Sequence, residues 1–533
     1  MIAFVAVYAL IAGRLVLLGM ADAGEQSAFL GDAEAIKASR PDILDRNGEI
    51  LATDIKTASL FAEPRRIEDV DETVEKLGTV LPQLRTASIR RRLESDAGFI
   101  WLKREITPPE QKAIHKLGLP GIGFLNESRR FYPGGNLAGH IVGHVNVDNQ
   151  GIAGLEKYFD NQGLADLQAL GFATDRPLEP VSLSVDLRAQ HAVRDELSKA
   201  MARYRSIAAI GIVLDVETGE VVAMSSLPDY NPNNPKEALE QKRMNRATSG
   251  VYEMGSVFKT FTTAMALDSG KVSINDHFDA TKPIRVSRHT IRDFHAKNKV
   301  LSVPEVFIYS SNIGTAKMAL AAGIDRQQDF LKRIGMMSRI ETELPETARP
   351  ILPPKWNDLT AMTISFGHGL SVSPMHTAVA AATLVNGGNY IPPTFLPRTV
   401  SEAQEMAVRI VDEKTSASMR YLFRMNVEKG SGRRAEVPGY MVGGKTGTAE
   451  KVENGRYVSS KRFNSFLAAF PIDKPRYVVL VTLDEPKPEE GMRSATAGLN
   501  TAPTVAAIVR RIAPMMGVMP RFGDTSDMIA VSY

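Results

Sequence analysis

Residues 208–226 read AAIGIVLDVETGEVVAMSS. Two apolar runs rich in β-branched residues flank Glu217-Thr218-Gly219-Glu220, which predicts a hairpin. Neither run alternates apolar with polar residues, so its sheet is expected to be covered on both faces. Upstream, Val181 to Asp186 predicts a short strand and 187–204 an amphipathic helix. Downstream, Phe258 to Leu267 predicts a helix ended by Gly270. A second helix starts with Ser373 as N-cap and Pro374 at its first position, and stops at Asn386-Gly387-Gly388. Late strands are expected at 440–446, 463–470 and 477–483. Strands at both ends of the region with helices between predict an α+β fold, a helix-covered antiparallel sheet whose first and last strands pair.

The chain has 533 residues, with 64 Lys+Arg against 61 Asp+Glu, a net +3. That charge gives no basis for a nucleic-acid footprint. Hydrophobic residues at 44% and charged residues at 23% describe a folded globular chain of roughly three domains. Cysteine is absent, which excludes disulfides, thiolate metal sites, cysteine nucleophiles and a lipidated cysteine. Met1 to Met20 carries one charge, Arg14. Twenty helical residues span about 30 Å, so a retained membrane anchor is expected, with Arg14 reaching the interface. Ala21-Asp22-Ala23 has the shape of a signal-peptidase site, but the long apolar run and the missing basic flank weigh against cleavage. The same missing flank leads us to expect that Met1 is a late start. No second comparable apolar run follows, so the rest is expected on one side of the membrane.

Upstream of the sheet, Asp45-Arg46-Asn47-Gly48 between apolar pairs predicts a hairpin. Short helical patterns with basic clusters are expected over 66–120, and irregular, turn-rich structure over 126–157. Pro177 and Pro180 bracket a boundary.

Three strings carry chemistry. In Ser256-Val257-Phe258-Lys259, serine and lysine three apart on a helix share a face. A serine hydroxyl needs an adjacent base, and a lysine serves if burial or nearby positive charge lowers its pKa. In Ser310-Ser311-Asn312, Ser310 could relay a proton and Asn312 could donate and accept hydrogen bonds. In Lys445-Thr446-Gly447-Thr448, the lysine and hydroxyls could hold a carboxylate, and Gly447 admits close approach to the backbone. Taken singly, each has an ordinary reading: a helix cap with a solvated lysine, a loop, an edge strand with a solvated lysine. Gly439 to Thr446 also fits a nucleotide P-loop, but strand-like residues follow it where a helix should open.

The three strings in this order resemble the penicillin-binding protein and serine β-lactamase superfamily. Residues 40–48 (RPDILDRNG) and 129–156 resemble the N-terminal module of class B penicillin-binding proteins. VYEMGSVFK at 251–259 and SFGHGLSVSP at 365–374 are similar to the cell-division, FtsI-type subgroup more than to the elongation subgroup. Met254 stands where many relatives have proline, and His368 where many have glutamine.

The resemblance implies a transmembrane anchor (1–20), a linker (21–39), an elongated α+β pedestal, dimerisation-like (40–175), a transpeptidase domain (176–515) and a tail (516–533). It implies D,D-transpeptidation of peptidoglycan stem peptides, with Ser256, Lys259, Ser310 and Lys445 catalytic. The resemblance also implies that Asn312, Thr446, Gly447 and Thr448 bind substrate. β-Lactams are expected to acylate Ser256. No cofactor, metal or nucleic acid is expected. Expected partners are a membrane glycosyltransferase, other divisome proteins and the lipid bilayer, with the catalytic domain in the periplasm and the anchor in the inner membrane. The alternatives are an elongation-type transpeptidase, a carboxypeptidase or β-lactamase-like hydrolase, and a non-catalytic scaffold or penicillin sensor. The intact motif set weighs against the last, and the large N-terminal module against the hydrolase.

His140 and His144 have metal-like spacing, but the intervening Ile-Val-Gly holds no general-base glutamate, so a packing role is expected. Arg292-Asp293-Phe294-His295 is read as structural, as are Trp101 and Trp356. His368, between two glycines, either lines the cleft or shapes a turn.

Overall fold

The structure, a computed structural model, describes residues 40–164, 179–286, 289–453, 456–492 and 494–522. The expected anchor and linker, and the end of the tail, lie outside the described residues. No helix among the described residues is long and apolar enough to cross a membrane.

The N-terminal module is built on β1 (Ile43–Leu44), β2 (Ile50–Ala62), β3 (Ile100–Ile106) and β4 (Ile122–Phe131). The expected hairpin joins β1 to β2: the Asp45 carboxylate accepts from the Asn47 and Glu49 amides, and Gly48 takes a φ of +88°. Helices Val70–Val80, Ala87–Leu93 and Pro108–His115 bury Leu77, Leu93 and Ile114 against the sheet.

Part of 126–157 departs from the irregular expectation. Strand β4 runs through Phe131 and pairs antiparallel with Thr53–Ala62 of β2. The polar run Asn126–Arg130 hid it because two of its charged side chains, Glu127 and Arg130, are themselves buried. Glu127 accepts from Ser59 and from both ends of the Arg104 guanidinium. Arg130 Nε lies 2.6 Å from Glu156, which is fully buried, and Arg40 Nε reaches the other Glu156 oxygen at 2.8 Å. Arg130 also meets Asp54 at 3.1 Å, so one ion network ties β2, β4 and the helix carrying Glu156. His140 and His144 belong to this packing, edge-on to Tyr230. No cluster of three metal-ligating side chains exists among the described residues.

One link between the modules is a parallel pairing of β1 with β5 (Val181–Ser182). This strand is shorter than expected because Asp186 turns the chain, capping α1 (Leu187–Tyr204) through the Arg188 and Ala189 amides. The Asp45 carboxylate also accepts from the Leu187 amide at 3.0 Å, so one aspartate serves both the hairpin and the helix start.

The second sheet has the order β8-β9-β10-β6-β7. These strands are β6 (Ala208–Asp215), β7 (Val221–Leu227), β8 (Gly443–Glu453), β9 (Arg456–Phe470) and β10 (Tyr477–Asp484). The last strand pairs with the first, Tyr477 opposite Asp215. Every residue of β6, β7 and β10 is buried, as their unbroken apolar character requires. One face packs against α1 and α6 (Thr501–Met515). The other packs against the helices between the strands: α2 (Lys259–Asp268), α3 (Asn312–Ala322), α4 (Pro374–Val385) and α5 (Glu413–Lys429). Strand β8 begins at Gly443 rather than 440, because Met441 sits at a φ of +44° and breaks the extended run. It continues past Thr446 as a strand, so the P-loop alternative fails on geometry.

Candidate active site

Three segments meet beside edge strand β8. The first is the tight 3-10 turn Gly255–Phe258, which leads into α2 at Lys259, one residue after the helix start expected at Phe258. The second is the bend between helix Val303–Ile308 and α3. Ser310 there takes a φ of +56°, a costly position for a non-glycine residue that tends to mark functional sites. The third is Lys445–Thr448 on β8. The segments approach closely because glycines stand at the contacts. A Cβ on Gly447 would lie 2.7 Å from the Met254 carbonyl oxygen and 3.0 Å from the Val257 amide. A Cβ on Gly255 would lie 2.9 Å from the Thr448 carbonyl oxygen.

Ser256, Ser310, Asn312, Thr446 and Thr448 line one cleft of about 500 Å³. Lys259 and Lys445 lie beneath it, 1% and 0% exposed. The solvated-lysine readings of the first and third strings are thereby overturned. Lys259 Nζ donates to the Ser310 carbonyl at 2.5 Å and to the Ser310 hydroxyl at 3.0 Å. Lys445 Nζ donates to the same hydroxyl at 3.0 Å and to the Thr446 carbonyl at 3.2 Å. Burial, then the Lys445 charge, hold the Lys259 ammonium well below the usual lysine range, and Asp293 opposes them. Burial alone pushes Lys445 down to about 7. Two amines that share one hydroxyl, with no carboxylate of the described residues in contact, therefore lose protons far more readily than lysines in water.

The cleft walls are braced. Thr446 Oγ1 is 2.6 Å from the Ser431 hydroxyl, and Asn426 donates to the Gly444 carbonyl at 2.7 Å. Thr448 Oγ1 accepts from the Ala497 amide at 3.3 Å. The Asp293 carboxylate accepts from the Ser311 hydroxyl at 2.8 Å and from the Ile313 amide at 2.9 Å, while Asn312 donates to the Arg292 carbonyl. The 292–295 cluster thus anchors the Ser310 bend, and Phe294 and His295 line the cleft. Sequence reasoning assigned Ser431 no place in the site; a serine between Gly430 and Gly432 carries no local signal of it. His368 lines the cleft.

A family model for the penicillin-binding protein transpeptidase domain matches residues 209–510, and one for the penicillin-binding protein dimerisation domain matches 35–163. The first covers more than half of the chain, so the chain belongs to the penicillin-binding protein family, with the two-module layout of class B. Within that class it is of the FtsI type. It is 40% identical to the probable peptidoglycan D,D-transpeptidase FtsI of Caulobacter vibrioides, over 92% of this chain and 83% of that one. It is 33% identical to the probable peptidoglycan D,D-transpeptidase PenA of Neisseria gonorrhoeae, covering 85% and 81%. It is 31% identical to the peptidoglycan D,D-transpeptidase FtsI of Escherichia coli, covering 93% and 86%.

Proposed function

We propose that this chain is a serine D,D-transpeptidase that cross-links peptidoglycan stem peptides during division, and that β-lactams acylate it. The observation that carries the reading is the shared Ser310 hydroxyl, with Lys259 and Lys445 both bonded to it under the cleft that holds Ser256.

Lys259, its ammonium held well below the usual lysine range, takes the proton of Ser256 as its Oγ attacks the carbonyl between the two terminal D-alanines. The Ser256 and Thr448 amides receive the oxyanion; one such donor is worth about 3 kcal/mol in comparable sites. Lys445 gives a proton through Ser310 to the departing D-alanine nitrogen, and the proton that Lys259 took from Ser256 passes through the same hydroxyl to Lys445, which leaves Lys259 free to accept again. Asn312, Thr446 and Thr448 hold the donor strand, with Gly447 giving it access to the backbone. An amine from a neighbouring stem peptide then displaces Ser256. Penicillins mimic the donor and stay on the serine.

The domain bounds read from the sequence belong to the same proposal. So do the anchor over 1–20, a periplasmic catalytic domain on the inner membrane, and partnership with a membrane glycosyltransferase and other divisome proteins. They rest on the apolar run of the first twenty residues and on the likeness to FtsI proteins.

Labelling with a fluorescent penicillin tests the core of the reading. Wild type should label, and Ser256→Ala and Lys259→Ala should not. Labelling that survives Ser256→Ala overturns the nucleophile, and rapid release of the drug points to a hydrolase.

A further inference from the structure

The reaction needs two substrates at Ser256. The groups assigned above all serve the donor, from the Ser310 bend on one side and β8 on the other. A third wall of the same cleft, Phe366 and His368, has no part in that assignment. The backbone holds it against the nucleophile turn. The Gly255 amide donates to the Gly367 carbonyl at 3.3 Å, and a Cβ on Gly367, which has a φ of +91°, would lie 2.0 Å from the Gly255 carbonyl oxygen.

His368 stands edge-on between two aromatic rings, with centroids 5.5 Å from Phe366 and 5.2 Å from Tyr457. Its Nδ1 is buried with no hydrogen-bond partner among the described residues. Behind it, one Glu253 oxygen accepts from the Gly369 amide at 2.7 Å and from the Tyr457 hydroxyl at 3.2 Å. That carboxylate fastens the residue after His368 and one of the two rings beside it, and its second oxygen is also buried without a partner among the described residues. Burial, then the Lys259 charge, lower His368 to about 4, so its ring is uncharged at neutral pH. An uncharged, unpaired imidazole in an aromatic wall offers a hydrogen-bond site to a neutral N–H donor. It does not repel an amine as a cation would. A buried polar atom without a partner is costly, so such atoms invite a ligand.

We propose that His368 is the positioning residue of the acceptor subsite: its ring nitrogen accepts a hydrogen bond from the primary amine that attacks the Ser256 acyl-enzyme, and Glu253 with Tyr457 fixes the ring. This rests on the transpeptidase reading above. The amine nitrogen bonds to the acyl carbon as the carbon–Oγ bond breaks. The amine proton passes to Lys259 and from there to Ser256 Oγ, which restores both groups. His368 keeps no proton; it aims the amine lone pair.

The test uses the full chain, a thioester of N-benzoyl-D-alanine as donor and a free D-amino acid as acceptor, and reads the ratio of amide product to hydrolysed donor. Both products drain one acyl-enzyme, so the ratio does not depend on how fast that species forms. His368→Ala is expected to lower the ratio about tenfold, as loss of a well-oriented nucleophile should. His368→Gln, whose amide oxygen accepts a hydrogen bond, should restore most of it, and Tyr457→Phe should lower it less than His368→Ala. An unchanged ratio in His368→Ala, or an equal fall in His368→Gln and His368→Ala, overturns the subsite. Wild-type protein that takes up penicillin and hydrolyses the thioester but transfers to no amine overturns the transfer reading and this subsite with it.

Discussion

The Nζ atoms of Lys259 and Lys445 both lie 3.0 Å from the Ser310 hydroxyl, so residues 186 positions apart in the chain share one oxygen. Ser310→Ala removes the bridge between the two amines without opening the cleft. Its second-order rate constant for penicillin acylation is expected to fall by about 10²–10³, the range for losing a positioned proton-transfer group. Stopped-flow acylation checks this; a change below threefold, about 0.6 kcal/mol, would remove Ser310 from the relay.

The two lysines also predict the pH profile. Lys259 must be uncharged to take the Ser256 proton, and its ammonium is held well below the usual range, so acylation rises with pH on the acid side. Lys445 must carry a proton to deliver it, and it loses that proton as pH rises through about 7. The rate of acylation is therefore expected to be bell-shaped with an alkaline limb near 7. Lys445→Arg, which stays charged, should remove the alkaline limb whatever it does to the maximum.

Asp293 anchors the Ser310 bend and raises the pKa of Lys259. Asp293→Ala is expected to cost about 1–3 kcal/mol in a denaturant melt, because a buried hydroxyl and an amide lose their acceptor. It should also move the acid limb of the acylation profile to lower pH, since an attractive charge has gone. A lower stability with an unmoved limb would make Asp293 purely structural.

In the N-terminal module, Glu156 is fully buried between Arg40 and Arg130. Glu156→Ala leaves two buried guanidinium groups short of countercharge, and about 3–5 kcal/mol of stability should be lost. Unfolding followed by near-ultraviolet circular dichroism checks it. A loss below about 1 kcal/mol would mean that water already solvates the network.

The sheet was legible because β6, β7 and β10 are apolar on both faces, so the 208–226 hairpin and the pairing of first with last strand could be read from the sequence. Motif order carried the candidate site. Strand β4 was hidden by its buried charges, which imitate a solvated loop. The start of β8 was misread because a single residue in a left-handed conformation, Met441, ends one run and begins another. The parts of the site contributed by Asp293, Ser431 and Glu253 were not legible. Each acts through a contact with a segment far along the chain, and nothing in its local pattern distinguishes it from a surface turn.

Mass mapping of the penicillin adduct tests the central claim most directly. Trypsin should release residues 247–259, ATSGVYEMGSVFK, as one peptide. After incubation with benzylpenicillin that peptide should carry the mass of the intact drug on Ser256, and Ser256→Ala should carry none. An adduct on any other residue, or an unmodified peptide after saturating exposure, would contradict the account.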